Sequence, residues 1–262
     1  MSAPTTQAKI LFIDIETAPT TAYVWRMWKE NIRPAQVQDY SWIMLIAAKW
    51  AHEDEVMCYR AEGLEDDMGL VDWAHSLLDE ADIVVAHNGN GFDLPIMKTR
   101  MIKYKMKPPA PYKSVDTLKA ARRVFRFPHN SLEGLGDYLN LEVKKNPQGF
   151  SLWTNCLKSM NNPAWAQMAE YCSGDVLAME KLYERLLPWI PGHPNLGLFA
   201  DAQKPICGNC GSKRMQRRGT YPTLTQVYPR YHCQKCGKWG RGKGTLTPRS
   251  EQPGVMGSVA LH

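Results

Sequence analysis

The sequence predicts an α/β fold, in which helices flank a mixed central sheet, followed by a smaller module near the carboxyl terminus. Strand-like segments come first, helices then alternate with strands, and the end of this region is helical. Residues 188–205, with four prolines and two glycines, interrupt the pattern, and two Cys-x-x-Cys pairs follow. We therefore predict a main domain at 1–192, a linker at 193–204, a small module at 205–245 and a disordered tail at 246–262.

Each element has its own signal in the sequence. Apolar and β-branched runs predict strands at 9–16, 41–50, 55–60 and 82–88. Apolar residues at three- and four-residue spacing predict helices at 64–81, 92–106 and 163–190. Segment 114–127 begins extended and becomes helical. Asn130, with Glu133 three residues later, predicts a capping box at the start of one more helix.

The charge of the chain is unevenly distributed. The net charge is +6, but residues 1–192 carry 21 Lys and Arg against 24 Asp and Glu, whereas residues 193–262 carry 11 against 2. A basic terminal segment indicates a polyanionic partner such as nucleic acid. No apolar run approaches the ~20 residues that cross a bilayer, so we expect a cytoplasmic protein with no membrane partner.

Two acidic residues lie inside the first predicted strand, where apolar residues would be expected. Asp14 and Glu16 are two apart, and they therefore share a face with Ile10 and Phe12. Like charges this close repel each other and resist burial unless a cation lies between them, and a divalent metal would supply that cation. The alternative is a strand that ends at Ile13 and leaves both acids exposed.

Two further acids lie in contexts that suggest a shared site. Asp93 follows the predicted strand at 82–88 and begins a helix, where the alternative role is that of a helix cap. Tyr171 and Asp175 lie four apart on one face of the last helix, and Asp175 borders its apolar stripe. A carboxylate on the core-facing side of a helix needs a hydrogen-bond or ionic partner. Tyr171, taken alone, would be an ordinary half-buried aromatic residue.

The order of "FIDIET", "HNGNGFD" and "YCSGD" resembles the three motifs of the DEDD (DnaQ-like) family of 3′-to-5′ exonucleases, particularly phage and bacterial members. The third motif is similar to that of the tyrosine subclass, and the resemblance covers roughly residues 8–190. It implies a ribonuclease H-like fold with a mixed five-stranded sheet. It also implies hydrolysis of nucleic-acid 3′ ends to nucleoside 5′-monophosphates, with single-stranded DNA ends favoured.

The resemblance further implies two catalytic Mg²⁺ or Mn²⁺ ions held by Asp14, Glu16, Asp93 and Asp175. Asp14 would bridge the ions, Glu16 and Asp175 would hold the ion that activates water, and Asp93 would help to hold the other. Two ions ~4 Å apart stabilise the attacking and leaving oxygens of a phosphodiester displacement. Tyr171, with an ordinary pKa near 10, is expected to orient the water and not to act as the base.

Candidate substrate-binding residues adjoin these motifs and also occur in the basic module. They are Thr17, Asn88, Asn90, Phe92, Arg217 and Arg218. A loop asparagine also serves turns, and Asp116, at a strand end, could either approach the site or cap a helix. The aromatic residues and arginines of 23–42 could form a stacking platform for a single strand, but core packing is favoured for most of those rings.

The paired cysteines predict a structural zinc site. Cys207 with Cys210 and Cys233 with Cys236 are separated by 22 residues, and each pair is followed by glycine. Four thiolates at this spacing resemble a zinc ribbon that binds one Zn²⁺, whereas disulfides or redox pairs are disfavoured in a cytosolic chain. The module's basic and aromatic residues favour nucleic acid as its ligand over a protein partner. Cys58, Cys156 and Cys172 are predicted to be small core residues.

Other functions remain open at the level of the sequence. The chain could be a nucleic-acid-binding adaptor, or a proofreading subunit that acts with a separate polymerase or another replication or repair protein. It could also be an RNA-trimming exoribonuclease, since members of the tyrosine subclass act on both nucleic acids.

Overall fold

The computed structural model describes residues 7–141, 149–200, 204–248, 250 and 256. The chain divides into two compact units, Lys9–Glu184 and a second unit formed mainly by Arg185–His262. The predicted linker 193–204 belongs to the second unit in this division, and most of the predicted disordered tail 246–262 lies outside the described residues. Among the residues described, no helix is long and apolar enough to cross a membrane.

A five-stranded mixed sheet forms the centre of the first unit and confirms the predicted α/β class. The strands in chain order are β1 Ile10–Thr17, β2 Thr21–Ala22, β3 Val37–Asp39, β4 Ile43–Trp50, β5 Met57–Arg60, β6 Ile83–Ala86 and β7 Lys113–Asp116. The sheet order is β5-β4-β1-β6-β7, and β2 pairs with β3 separately. Strands β6 and β7 run parallel to β1, whereas β4 is antiparallel to it, so the carboxyl ends of β1, β6 and β7 meet at one edge.

Within the described ranges, six helices accompany this sheet. They are α1 Met68–Glu80, α2 Asp93–Lys103, α3 Thr117–Val124, α4 Leu132–Leu139, α5 Ser151–Cys156 and α6 Ala164–Leu186. Helix α5 is absent from the sequence prediction because six residues give too short a periodic signal. The prediction that Asn130 caps α4 is wrong, since the Ser131 side chain accepts the hydrogen bond from the Gly134 amide.

Helix α6 packs on the face of β1 toward which the acids project. Phe12 of β1 meets Tyr183 of α6 edge to face, with ring centroids 5.4 Å apart. Lys49 of β4 forms an ion pair with Glu180 of α6 at 2.8 Å, and its side chain is almost fully buried. Because Phe12 shares its face of β1 with Asp14 and Glu16, this packing brings α6 against the acidic end of the strand.

The aromatic residues between β1 and β4 are more exposed than the sequence predicts. Most of its aromatic rings were expected in the core, but Tyr23, Trp25, Trp28 and Tyr40 are exposed, and only Trp42 among the aromatics of 23–42 is buried. The β2–β3 ladder and the bond from the Tyr23 amide to the Gln36 carbonyl close residues 23–36 into a separate loop. Tyr23, Trp25 and Trp28 therefore lie on this loop and do not reach the sheet.

The second unit contains a small antiparallel sheet. Its strands are β8 Met215–Pro222, β9 Val227–Cys233 and β10 Trp239–Arg241, in the order β10-β9-β8. A 3-10 helix, Leu196–Phe199, precedes them. Charged and aromatic side chains stack on this sheet, with the Arg230 guanidinium 5.0 Å from the ring of Trp239 and that of Arg241 4.1 Å from the ring of Tyr228.

A buried polar network joins the start of β4 to α1 and α2. Asp67 is fully buried and accepts hydrogen bonds from the Ile43 amide, at 2.8 Å, and from Arg100 and Tyr104. Arg100 is itself 7% exposed. Removing one partner of a buried ion pair leaves the other charge without compensation, so this network ties both helices to the sheet.

We expect Asp67→Ala to lower the free energy of unfolding by about 3 kcal/mol, because it leaves the Arg100 charge without its ionic partner and the Ile43 amide without its acceptor. Urea denaturation followed by tryptophan fluorescence measures the change. The matched control is Glu80→Ala, which removes an exposed ion pair with Lys9 and should cost less than about 1 kcal/mol. Equal losses in the two variants would contradict a structural role for the network.

Candidate active site

The carboxyl-terminal half of β1 supplies the first two acids. The strand continues through both residues to Thr17, so the alternative of a strand that ends at Ile13 is wrong. Glu16 is 9% exposed and Asp14 is partly buried. A register shift between Glu16 and Thr17 marks a β-bulge in the pairing with β4. Such bulges are common beside active sites, where they change the direction of a side chain.

Asp93 reaches the same place from α2. It is the first helical residue and not the N-cap, which is Phe92, and it is 2% exposed. Its Oδ1 accepts a hydrogen bond from the Ile15 amide at 3.2 Å. Strand β6 pairs with β1 only as far as Phe12, which leaves the Ile15 amide available to Asp93. The side chain is therefore bound to the backbone between Asp14 and Glu16.

Helix α6 contributes Tyr171 and Asp175 from one face. The Tyr171 hydroxyl donates a hydrogen bond to the Asp175 carboxylate, and both residues are half-buried. The charge of Asp175 acts on both Asp14 and Glu16, which places all four acids within one electrostatic cluster. The structure thus brings together Asp14, Glu16, Asp93, Asp175 and Tyr171, from three separate elements.

Two neutral donors that the sequence reasoning did not assign to the site hold the β1 acids. Trp153 of α5 donates from Nε1 to Glu16 Oε2 at 3.1 Å, and its ring centroid lies 6.2 Å from that of Tyr171. The sulfur of Cys172 lies 3.3 Å from Asp14 Oδ2. Cys172 is fully buried, as predicted for a core residue. Cys156 is also buried, whereas Cys58 is only partly so. Cys172 lies within the third motif, but nothing in the sequence singles out Trp153.

Burial and mutual repulsion both oppose ionisation of these acids. Burial raises the pKa of Asp14 well above its ordinary value, and the charges of Asp93, Glu16 and Asp175 raise it further. Burial and the charge of Asp175 raise the pKa of Glu16 to about 8. Burial likewise raises the pKa values of Asp93 and Asp175 to about 6. At neutral pH the cluster therefore carries negative charge at an energetic cost.

The donor set fits divalent cations of the hard type. None of the salt bridges among the residues described involves these four acids, so no lysine or arginine there neutralises them. One ligand atom each from Asp14, Glu16 and Cys172 lies within 4.8 Å of the others. Carboxylate oxygens are the ligands that Mg²⁺ and Mn²⁺ prefer.

The loop that follows β6 is fixed by Asp116. This residue accepts hydrogen bonds from the amides of Asn88, Asn90 and Lys119. It therefore caps α3 and also holds the loop that leads to Asp93, and its charge acts on Asp93. Asn88 has φ +66°, which supports the turn role considered for it.

The remaining candidate substrate residues are dispersed. Thr17 ends β1, and Asn90 and Phe92 are exposed on the loop after β6, at the edge where the acids lie. Arg217 and Arg218 are exposed on β8 in the second unit.

The four cysteines of the second unit converge. Their sulfurs all lie within 4.8 Å of one another, with 3.6 Å for both Cys207–Cys236 and Cys210–Cys233. Four sulfurs at ~2.3 Å from a tetrahedral Zn²⁺ would be ~3.8 Å apart, so the cluster fits that ion. Burial alone would raise the pKa of Cys233, but the amides of Cys236 and Lys235 donate to its sulfur and bring that pKa to about 7.

The chain belongs to the RNase_H superfamily, because the model of that family matches residues 36–187, more than half of the sequence. The match includes Asp93, Tyr171 and Asp175 and begins after Asp14 and Glu16. Comparison with curated protein sequences found no match.

A solved structure with a similar fold is the family B DNA polymerase from the hyperthermophilic archaeon Pyrobaculum calidifontis, with a TM-score of 0.51 and 18% sequence identity. The similarity covers 70% of this chain and 25% of the polymerase, so the chain spans about a quarter of that protein's length. At this identity the likeness shows the fold alone. The superfamily membership supports a nuclease.

The raised pKa values predict how stability depends on pH. In each acid the folded-state pKa exceeds the unfolded value, so protonation favours folding and stability is lost as the pH rises through the folded values. Without added Mg²⁺ or Mn²⁺, we expect the melting temperature to fall between about pH 5 and about pH 8. Adding either ion at pH 8 should restore it.

Glu16→Gln is the matched variant for this measurement. It removes the acid whose pKa is raised to about 8, so it should raise the ion-free melting temperature at about pH 8 and leave it nearly unchanged at about pH 5. A melting temperature that is constant or rises across this window in the wild type would show that the cluster is not strained by its charge.

Proposed function

We propose that this protein is a metal-dependent 3′-to-5′ exonuclease that hydrolyses the terminal phosphodiester of a nucleic-acid 3′ end and releases nucleoside 5′-monophosphates. The observation that carries the proposal is the convergence of four buried or half-buried carboxylates at the carboxyl edge of an RNase H-like sheet, with no salt bridge to any of them among the described residues. The order of the three motifs and the Tyr171–Asp175 pair support the 3′-to-5′ direction through their resemblance to the tyrosine subclass. Single-stranded DNA ends are the favoured substrate, and the similarity to a DNA polymerase agrees with that choice.

In this proposal Asp14, Glu16, Asp93 and Asp175 hold two Mg²⁺ or Mn²⁺ ions. When bound, such ions offset the carboxylate charge and stabilise the charge that develops on the attacking and leaving oxygens. The protein's own contribution is to keep the four oxygen donors in place without neutralising them. Trp153, Cys172 and the Ile15 amide do this for Glu16, Asp14 and Asp93 respectively, because all three are uncharged hydrogen-bond donors.

Tyr171 acts as a donor in this scheme. Burial and the charge of Asp175 raise its pKa above the ordinary value, so the hydroxyl stays protonated at neutral pH and cannot serve as the base. It positions Asp175 and can orient the attacking water by a hydrogen bond. Exposed Phe92 and Asn90, on the loop held by Asp116, are suited to contact the terminal nucleotide at the same edge.

The second unit is proposed to be a zinc ribbon that aids substrate binding. Its four converging sulfurs fit one structural Zn²⁺, which leaves no open coordination position for catalysis. Exposed Arg217 and Arg218, with Arg230 stacked on Trp239 and Arg241 on Tyr228, offer charge and aromatic faces to a phosphate backbone and its bases. Such contacts need no particular base sequence.

Asp14→Asn and Asp175→Asn should each lower hydrolysis by ~1,000-fold or more, because each removes a charge that holds a cation in the transition state. Binding to a single-stranded oligonucleotide should remain within about threefold of the wild type. The assay follows a 3′-labelled and a 5′-labelled oligonucleotide with Mg²⁺ or Mn²⁺. Early release of labelled mononucleotide from the 3′ label alone establishes the direction.

Asp72→Asn serves as the control for this charge change, since Asp72 is exposed on α1 away from the acid cluster, and it should retain activity. Retention of full activity in Asp14→Asn would exclude the proposed site. If wild-type protein degrades no 3′ end of DNA or RNA, single- or double-stranded, the proposed function is wrong.

The purified protein should contain about one zinc per chain, and Cys210→Ser should release it, because a small module with few buried side chains depends on its metal to fold. Metal analysis measures the content, and protease sensitivity of residues 205–245 reports the loss of structure. Cys58→Ser, outside the cluster, should keep its zinc. Equal zinc content in the two variants would contradict the assignment.

A further inference from the structure

An exposed aromatic segment lies between β1 and β4 of the first unit. We define residues 23–33 as the aromatic loop; it carries Trp25, Met27 and Trp28 at 95%, 86% and 80% exposure. Large apolar side chains at this exposure, grouped within four residues, are uncommon on a protein surface and indicate a binding site. No residue in the described part of the chain covers these three side chains, and the proposed catalytic chemistry does not use them.

The aromatic loop rises from the same sheet edge as the acid cluster. Its first stem leaves β1 directly after Thr17, and its second stem returns to β4, whose amino end lies beside the carboxyl end of β1. The Ala18 amide donates to the Trp42 carbonyl at 2.9 Å and ties the two stems together. Tyr23 is six residues from Thr17, so the loop begins within ~20 Å of the end of β1, the strand that carries Asp14 and Glu16. A single strand whose 3′ end lies at the acids could reach the loop over a few nucleotides.

Basic side chains are interleaved with these rings. Arg26 lies between the two tryptophans and pairs with Glu30 at 3.4 Å, and Lys29 and Arg33 take part in none of the ion pairs found among the residues described. The aromatic loop therefore carries three basic residues against one acid. Aromatic faces interleaved with positive charge are the combination that binds single-stranded nucleic acid without sequence preference.

We propose that the aromatic loop is a stacking platform that binds bases of a single-stranded nucleic acid upstream of the 3′ end to be cleaved. Trp25 and Trp28 stack on successive or nearby bases, while Lys29 and Arg33 contact the backbone. This inference rests on the proposed function for the position of the 3′ end. A second protein as occupant is the competing outcome of the test, and such a partner would be expected to use Met27 together with the rings.

The experiment compares full-length variants that keep or remove the ring faces. Trp25→Ala with Trp28→Ala should lower the affinity of catalytically inactive Asp14→Asn protein for a single-stranded 12-mer by about 10-fold or more, measured by fluorescence anisotropy. In the active background, the preference for the 12-mer over a dinucleotide, as a ratio of kcat/KM, should fall by a similar factor. Trp25→Phe with Trp28→Phe should restore most of both values, because phenylalanine keeps an aromatic face.

Met27→Ala is the matched control, since it removes exposed apolar surface from the same loop without removing a ring, and it should keep wild-type affinity. A 12-mer with abasic sites at the upstream positions should bind Asp14→Asn protein about as weakly as the intact 12-mer binds the double alanine variant in the same background. Unchanged affinity in the double alanine variant, or an equal loss in Met27→Ala, would overturn the inference and favour a protein partner.

The two proposals can fail separately. A wild type that hydrolyses the dinucleotide, with a preference for length that does not depend on the tryptophans, contradicts only the stacking platform. A wild type that binds the 12-mer through the tryptophans but hydrolyses no substrate contradicts only the exonuclease.

Discussion

The repulsion among carboxylates at one edge of a β-sheet is the constraint on which the rest of this structure depends. Burial and neighbouring charge raise the pKa values of Asp14, Glu16, Asp93 and Asp175. Ionisation of these acids therefore destabilises the folded state. A sheet edge built only for stability would place apolar or paired residues here. This loss of stability would be offset where divalent cations bind, because each cation is attracted to the carboxylates and separates their charges.

The surrounding hydrogen bonds follow from the same constraint. A lysine or arginine beside these acids would lower their pKa values but would also compete with a bound cation. The indole of Trp153, the thiol of Cys172, the amide of Ile15 and the hydroxyl of Tyr171 restrict the carboxylates without adding charge. Stability is supplied elsewhere, by the buried pairs of Lys49 with Glu180 and of Arg100 with Asp67. Among the residues described, charge is therefore paired inside the fold, whereas no salt bridge involves the four acids of the candidate site.

Much of this arrangement could be predicted from the sequence, because the main elements are long enough to show their periodicity. Two-residue spacing placed Asp14 and Glu16 on one face, and four-residue spacing did the same for Tyr171 and Asp175. The sequence could not reveal Trp153, since its helix α5 has only six residues and its contact with Glu16 spans 137 positions. It also misjudged the rings of residues 23–42, because hydrophobicity alone does not show that a two-residue ladder holds a loop away from the core. Local sequence patterns thus predicted the acids, whereas the side chains that donate hydrogen bonds to them are brought there by tertiary contacts.

The acid cluster creates a difficulty for binding that the rest of the chain must solve. Residues 1–192 carry a net negative charge, and under the proposed function the four carboxylates would repel a phosphodiester until cations are bound. Substrate affinity must then come largely from groups that do not lie in that field. Base stacking is one such source, because it acts on uncharged faces and is little affected by nearby carboxylates. The other is the basic second unit, whose 11 Lys and Arg against 2 acids in residues 193–262 would attract a phosphate backbone through long-range charge. Under the proposed function, the aromatic loop and the basic module would supply the affinity for the substrate, and the acidic edge would bind only the cations.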